Sequence, residues 1–181
     1  MLFRSAFDIS PVNTVLNYYS NKLGYDFDIN GNLSKKGNVN SLLLNDLNKM
    51  DFYKILGPKS LGIEYVYEKV IPLIKSYSIN NYDILKTYIE HVSDQIKKSI
   101  NEKKDDKILI TGGGVFNKTL IKKIRDKIIC QVIIPEKEII EHKESLIFAY
   151  LGLLKYLNRI NCLSNVTGAR KDHSSGVIYK F

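Results

Sequence analysis

The sequence predicts an α/β fold, a parallel or mixed sheet with helices on its faces. Three observations lead there. In the second half, apolar stripes at helical spacing alternate with short apolar runs, in the order helix, strand, helix, strand, helix. One of those runs, Lys107 to Thr111, leads straight into Gly112-Gly113-Gly114 and then into a helical pattern. The stretch from Asp83 to Ile100 carries Ile84, Tyr88, Val92, Ile96 and Ile100 at every fourth position, the stripe of a helix laid against a core.

The elements follow in order. Ser5 to Ile9 is short and apolar and stops at Ser10-Pro11, which predicts a strand and a turn. Asn13 to Leu23 predicts a helix with Val15, Leu16, Tyr19 and Leu23 on one stripe. Asp26 to Gly37 is polar and glycine-bearing, so it is a loop. Asn40 is placed to cap a helix carrying Leu42, Leu43, Leu44 and Leu47. A second loop, Gly57 to Gly62, leads into a helix from Glu64 to Ile74, which Pro72 must end or bend. Asn80 or Asn81 caps the long helix from Asp83. After the first glycine-linked strand, Asn117 to Ile128 is a helix with Leu120, Ile121, Ile124 and Ile128 inward. Ile129 to Ile134 is a second buried strand, ended by Pro135. Glu144 to Leu157 is a last long helix, and Val177 to Tyr179 is an expected edge strand. There is no internal repeat or Pro/Gly-rich linker, so residues 1–181 read as a single domain.

The bulk composition narrows the function classes. The chain has 181 residues, 44% hydrophobic and 25% charged, enough for a sizeable core. No apolar run reaches the roughly 18 residues of a spanning helix, and Asp8 interrupts any secretory pattern. A cytoplasmic location is the expectation. The net charge is +8, yet Lys103-Lys104-Asp105-Asp106-Lys107 carries its own counter-charges and no basic stripe with interleaved aromatics appears. No nucleic-acid or membrane partner is expected. Two unclustered cysteines, Cys130 and Cys162, make neither a disulfide framework nor a zinc site. His91, His142 and His173 share no metal-ligand spacing, so no metal site is assigned.

Three glycines between a buried strand and a helix start need a physical reason. Glycine permits positive φ and lets a ligand approach the main chain. The helix that follows offers free N–H groups and partial positive charge, which suit phosphate. Asn117 stands where it can cap that helix or reach a ligand. A Walker loop needs Gly-Lys-Ser/Thr, which is absent. A dinucleotide fingerprint needs a third glycine where Asn117 stands, although Glu136 lies where a ribose-binding acid would sit. The third option is the adenosine loop of actin-like kinases. Glycine spacing alone leaves the last two open.

Five words of sequence bear on that choice. Ala6 to Asn13 resembles A-F-D-T-G-P-G-N. Pro58 to Glu64 resembles P-K-S-T-G-R-E. Thr111 to Asn117 resembles C-G-G-G-x-x-N. Glu144 to Ala149 resembles a Glu-Ala-x-x-Phe-Ala helix start, and Ser164 to Ala169 resembles an S-V-T-G-A ending. In their order and spacing they are similar to the anhydro-N-acetylmuramic acid kinases of bacteria, and they cover nearly the whole chain. Ser10 and Val12 stand where that family has glycines, and Ile63 where it has arginine.

The resemblance implies an actin-like (ribonuclease H-like) sugar kinase. In such a kinase, ATP phosphorylates O6 of the anhydro sugar while water opens the ring, giving N-acetylmuramic acid 6-phosphate in cell-wall recycling. The words match the carboxy-terminal lobe, a mixed sheet flanked by helices. The family's phosphate loop, sugar-binding lobe and general-base aspartate are expected in an amino-terminal lobe absent from these residues. The resemblance therefore assigns no catalytic residue here. It implies ATP and Mg²⁺ as cofactors and an anhydro amino sugar as substrate, with a separate amino-terminal chain as a possible partner. Gly112, Gly113 and Gly114 would lie against the nucleotide, with Asn117 bonding it or capping the helix. Asp8 would lie near the phosphates or magnesium waters, and Glu144 would reach the sugar from a helix start. Lys59 would either contact phosphate or, as the favoured reading, be a solvated loop lysine.

Overall fold

The computed structural model describes residues 6–55, 57–100 and 105–179. It divides into two compact units. The larger runs from Asp8 to Pro135, and the smaller comprises Glu136–Phe181 with Met1–Phe7.

The larger unit is built around one helix. The element order is α1 (Asn13–Asn21), α2 (Ser41–Lys49), α3 (Ile63–Tyr65), α4 (Ile71–Lys75), α5 (Asn81–Ser99), β1 (Lys107–Leu109), α6 (Lys118–Lys127) and β2 (Gln131–Ile133). Helices α1, α2 and α6 all pack on α5. The predicted stripe is the reason: Ile84, Leu85, Tyr88, Ile89 and Val92 are buried, and Ile96 is half-buried. Three asparagines start helices by the same chemistry. Asn40, Asn80 and Asn117 each accept the backbone N–H three residues on, from Leu43 (2.9 Å), Asp83 (2.9 Å) and Leu120 (3.0 Å). The predicted bend at Pro72 takes a specific form. Val66–Val70 is a π-turn that runs directly into α4, and Pro72, which has no N–H to donate, stands just after it in the same continuous helical run.

Strands β1 and β2 are parallel, with Ile108 opposite Val132 and Leu109 opposite Ile133. Helix α6 is the crossover between them. The described residues are otherwise mostly helical, so of the expected parallel or mixed sheet they show one parallel pair, smaller than predicted. Residues 6–9 are irregular, and Ser5 lies outside the described residues. The reason is local: the Asp8 N–H donates to the Lys59 carbonyl (2.9 Å), and its carboxylate accepts from the Leu61 N–H (2.7 Å). That backbone is pinned to a loop instead of a neighbouring strand. Val177 to Tyr179 is also irregular and exposed, with no described strand beside it.

The smaller unit contains α7 (Lys137–Tyr156) and α8 (Ser164–Thr167), the latter flanked on both sides by an isolated antiparallel bridge between Cys162 and His173. Helix α7 starts seven residues before the expected Glu144. The run Lys137 to Lys143 carries four Lys and Glu residues, which are good helix formers, around Ile139 and Ile140, and Lys137 pairs with Glu141 one turn on (3.4 Å). No helix among the described residues is long and apolar enough to cross a membrane.

Candidate functional site

The glycine turn leaves β1 and enters a short 3₁₀ turn, Gly113–Phe116, before α6. Gly112 has φ 89°, a backbone that L side chains rarely adopt, so glycine is required there. The turn closes through Val115 N–H to Gly112 O (3.0 Å) and Asn117 N–H to Gly114 O (3.1 Å). Gly113 and Gly114 have another use. They form part of the wall of a cleft of about 310 Å³. Asn13 and Asn17 of α1 form a second part of its wall, and the loop Phe27–Asn30 a third. Leu16, Phe116 and Asn117 complete the lining, which contains no Lys or Arg.

The loop wall is fastened to the start of α6. Asp28 is buried, and its carboxylate accepts the N–H groups of Leu33 (2.6 Å) and Ser34 (3.2 Å). The Asn117 amide nitrogen reaches the same carboxylate at 3.5 Å. Thr119 donates its hydroxyl to the Gly31 carbonyl (3.0 Å). A side-chain carbon at Gly31 would fall 2.2 Å from that hydroxyl oxygen, and φ there is 72°, so only glycine permits the approach. Asn117 thus spends its carbonyl on the helix cap and turns its amide toward Asp28. Of the two uses expected for it, the geometry displays the cap.

The other expected site residues fall elsewhere. Asp8 lines a separate cavity with Ser10, Leu61 and Ile63, and caps the Lys59–Leu61 loop. Its second carboxylate oxygen bonds no described residue. Ser10 bonds the Tyr53 hydroxyl (3.0 Å), and buried Tyr88 donates to the Pro11 carbonyl (2.7 Å). Burial pushes the Tyr53 phenol up to about 12, so this anchor stays protonated. Lys59 is not solvated as expected. Its ammonium donates to the Phe52 carbonyl (3.0 Å) and lies 4.4 Å from the centre of the Phe52 ring. Glu144 belongs to the smaller unit. It sits two turns inside α7, exposed, where the dipole of a helix start no longer acts on it. No group of three acidic, His or Cys side chains among the described residues could hold a metal.

Sequence reasoning missed Asn17, Phe27, Asp28 and Asn30, and quoted Asn13 and Phe116 without giving them a use. A signal existed for some. Asn13 and Asn17 are four apart on the polar face of a helix, and Asn30-Gly31 is a left-handed turn pair.

A parallel β–α–β unit whose first turn opens on a cleft defines an α/β protein of the kind that holds small ligands at the carboxyl ends of its strands. Sequence comparison makes this particular. The family profile for anhydro-N-acetylmuramic acid kinase matches residues 4–181, and the chain belongs to that family. It is similar to the anhydro-N-acetylmuramic acid kinase of Haemophilus influenzae, 29% identical over 192 residues, covering 96% of this chain and 50% of that protein. The protein of the same description from Caldanaerobacter subterraneus is 30% identical over 180 residues, covering 91% of this chain and 46% of that one. The chain spans about half the length of the curated relatives it matches. The family implies an actin-like fold.

Proposed function

We propose that residues 1–181 are the nucleotide-binding, carboxy-terminal lobe of an ATP-dependent anhydro-N-acetylmuramic acid kinase working in the cytoplasm on sugar from cell-wall turnover. The cleft beside Gly113 and Gly114 carries this reading. It combines bare main chain, exposed aromatic rings and amide side chains, and no cation. Such a lining suits the nucleoside end of ATP, while the phosphates lead away toward groups in the rest of a family enzyme.

The reaction asks for positioning above all. The γ-phosphoryl group must be held in line with O6 of the sugar while water attacks the anhydro ring. In this reading Gly112, Gly113 and Gly114 let adenosine approach the backbone, and Asn117 holds the turn by capping α6. Asp8 faces the phosphates or their magnesium, and Glu144 contacts the sugar. Mg²⁺ keeps most of its waters and takes one or two carboxylates besides phosphate. Asp28 does not fit that task, because both its oxygens accept backbone N–H groups. Asp8 fits better, through its second oxygen.

Calorimetry of the 181-residue chain with ADP tests the cleft. Binding that Gly113→Val abolishes is expected, because the new side chain would enter the cleft beside Asn13. The same chain with ATP and anhydro sugar is expected to release no ADP until the amino-terminal half of a relative is added. Absence of nucleotide binding would overturn the proposal. Sugar-dependent ADP release from the chain alone would overturn the need for a second half.

A further inference from the structure

Three carboxamides on the cleft wall, those of Asn13, Asn17 and Asn30, bond no described residue. Beside them the Phe27 ring is 54% exposed and Ile29 is 55% exposed. Amides and apolar groups left open together on one concave surface match a flat heterocycle with polar edges. We propose that Asn17 and Asn30 select the base of the bound nucleotide for adenine, and that Phe27 stacks on it. This rests on the nucleotide reading of the cleft.

The chemistry of the edge favours adenine. A carboxamide presents one acceptor beside one donor group. Adenine presents the complement, the N6 donor beside the N7 acceptor, and takes both bonds. Adenine repeats this pattern on its other edge, N6 beside N1. Guanine offers a donor beside an acceptor at O6 and N1–H, but presents two acceptors, O6 and N7, on its N7 edge, where the amide oxygen would lack a partner at a cost in binding. Stacking on Phe27 is indifferent to which base is present, because every base has a π-face. The two interactions therefore divide the work: the ring contributes affinity and the amides contribute choice.

Position supports the division. Asn13 lies at the glycine turn, its amide 3.4 Å from where a Gly113 side chain would begin, which places it toward the sugar end of a nucleoside. Asn17 is one helical turn further along α1. Asn30 is held in the left-handed region, φ 55°, inside the turn that Asp28 and Thr119 fasten to α6. A residue fixed in that way is aimed before the ligand arrives, so little freedom is lost on binding.

Calorimetric titration of the 181-residue chain with ADP and with GDP tests this. The wild-type chain is expected to prefer ADP at least about tenfold. Asn30→Gly removes the amide yet tolerates the positive φ, and Asn17→Ala suits a helix; each is expected to lower ADP affinity and narrow the preference. Phe27→Ala is expected to weaken both nucleotides alike. Thermal melts check that each variant folds. Variants that bind and discriminate like wild type, in a chain that binds ADP, overturn the base-selection proposal and leave the nucleotide cleft standing. A wild-type chain that binds neither nucleotide overturns both.

Discussion

The two units of this chain are stabilised in different ways. In Asp8–Pro135, residues such as Val15, Leu43, Leu47, Ile74, Leu85 and Ile89 are fully buried around α5. In the described part of Glu136–Phe181 only Ile140 is buried. Helix α7 carries Ile139, Leu146, Tyr150 and Leu153 along one stripe, yet all four are exposed, as are Ile147 and Phe148, the last at 70%. An amphipathic helix such as α5 draws its stability from the neighbours it covers. Helix α7 relies on propensity, local pairs such as Lys137–Glu141 and a long unbroken ladder. The lesson is that a helix of ordinary length and good propensity can be legible in sequence while its packing is not.

The widest separation between the units should come from truncating one side chain in each. Leu85→Ala leaves a cavity in a closed core and should cost about 2–5 kcal/mol. Phe148→Ala removes an exposed ring and should change stability by less than about 0.5 kcal/mol. Urea melts followed by circular dichroism compare them, and a Phe148→Ala cost equal to that of Leu85→Ala would break the contrast.

Acid should act next most strongly, and on the larger unit. His91 is fully buried on α5, against the rings of Tyr53 and Tyr88. Burial lowers it to about 3, with Asp94 opposing and Lys98 assisting. A group depressed in the folded state takes up its proton first in the unfolded chain. Its contribution is therefore complete above about pH 6.5 and declines as pH falls from there toward 3. His91→Gln should flatten the slope of unfolding free energy against pH across that window; an unchanged slope would remove His91 as its source.

The smallest effect belongs to the contact between α5 and α6. Glu90 accepts Lys123 (2.9 Å) and Lys127 (2.6 Å), and Lys127 also pairs with Asp94. Lys123 is half-buried and Glu90 keeps a second lysine partner, so Lys123→Ala should cost about 1 kcal/mol or less and should matter less in high salt. A cost that does not respond to salt would assign the loss to packing.

Most of the helices were readable because one face of each is apolar and three begin at asparagines whose side chains can reach a backbone N–H. The glycine turn was readable because Gly112 answers a backbone requirement inside a strand-to-helix step. The sheet was over-read. An apolar run such as Ala6 to Ile9 fits a strand, but whether a strand forms depends on a partner edge, which no local pattern reveals. The start of α7 was missed because the two adjacent isoleucines, Ile139 and Ile140, sit alone among Lys, Glu and His and show no recurring spacing of their own. The cleft was half legible. Its glycine wall is written in neighbouring residues, whereas its loop wall depends on Asp28 meeting Asn117 across 89 positions.

The seat of Lys59 has a practical outcome for proteolysis. Trypsin needs a lysine side chain free to enter its specificity pocket and an extended segment around the bond to be cut. At Lys59 the ammonium is held over Phe52 and the carbonyl of the scissile bond accepts from Asp8. Cleavage after this residue thus requires the loop to come apart first, so the Lys59–Ser60 bond reports on opening of the knot between Asp8 and Leu61 while the fold around α5 stays closed.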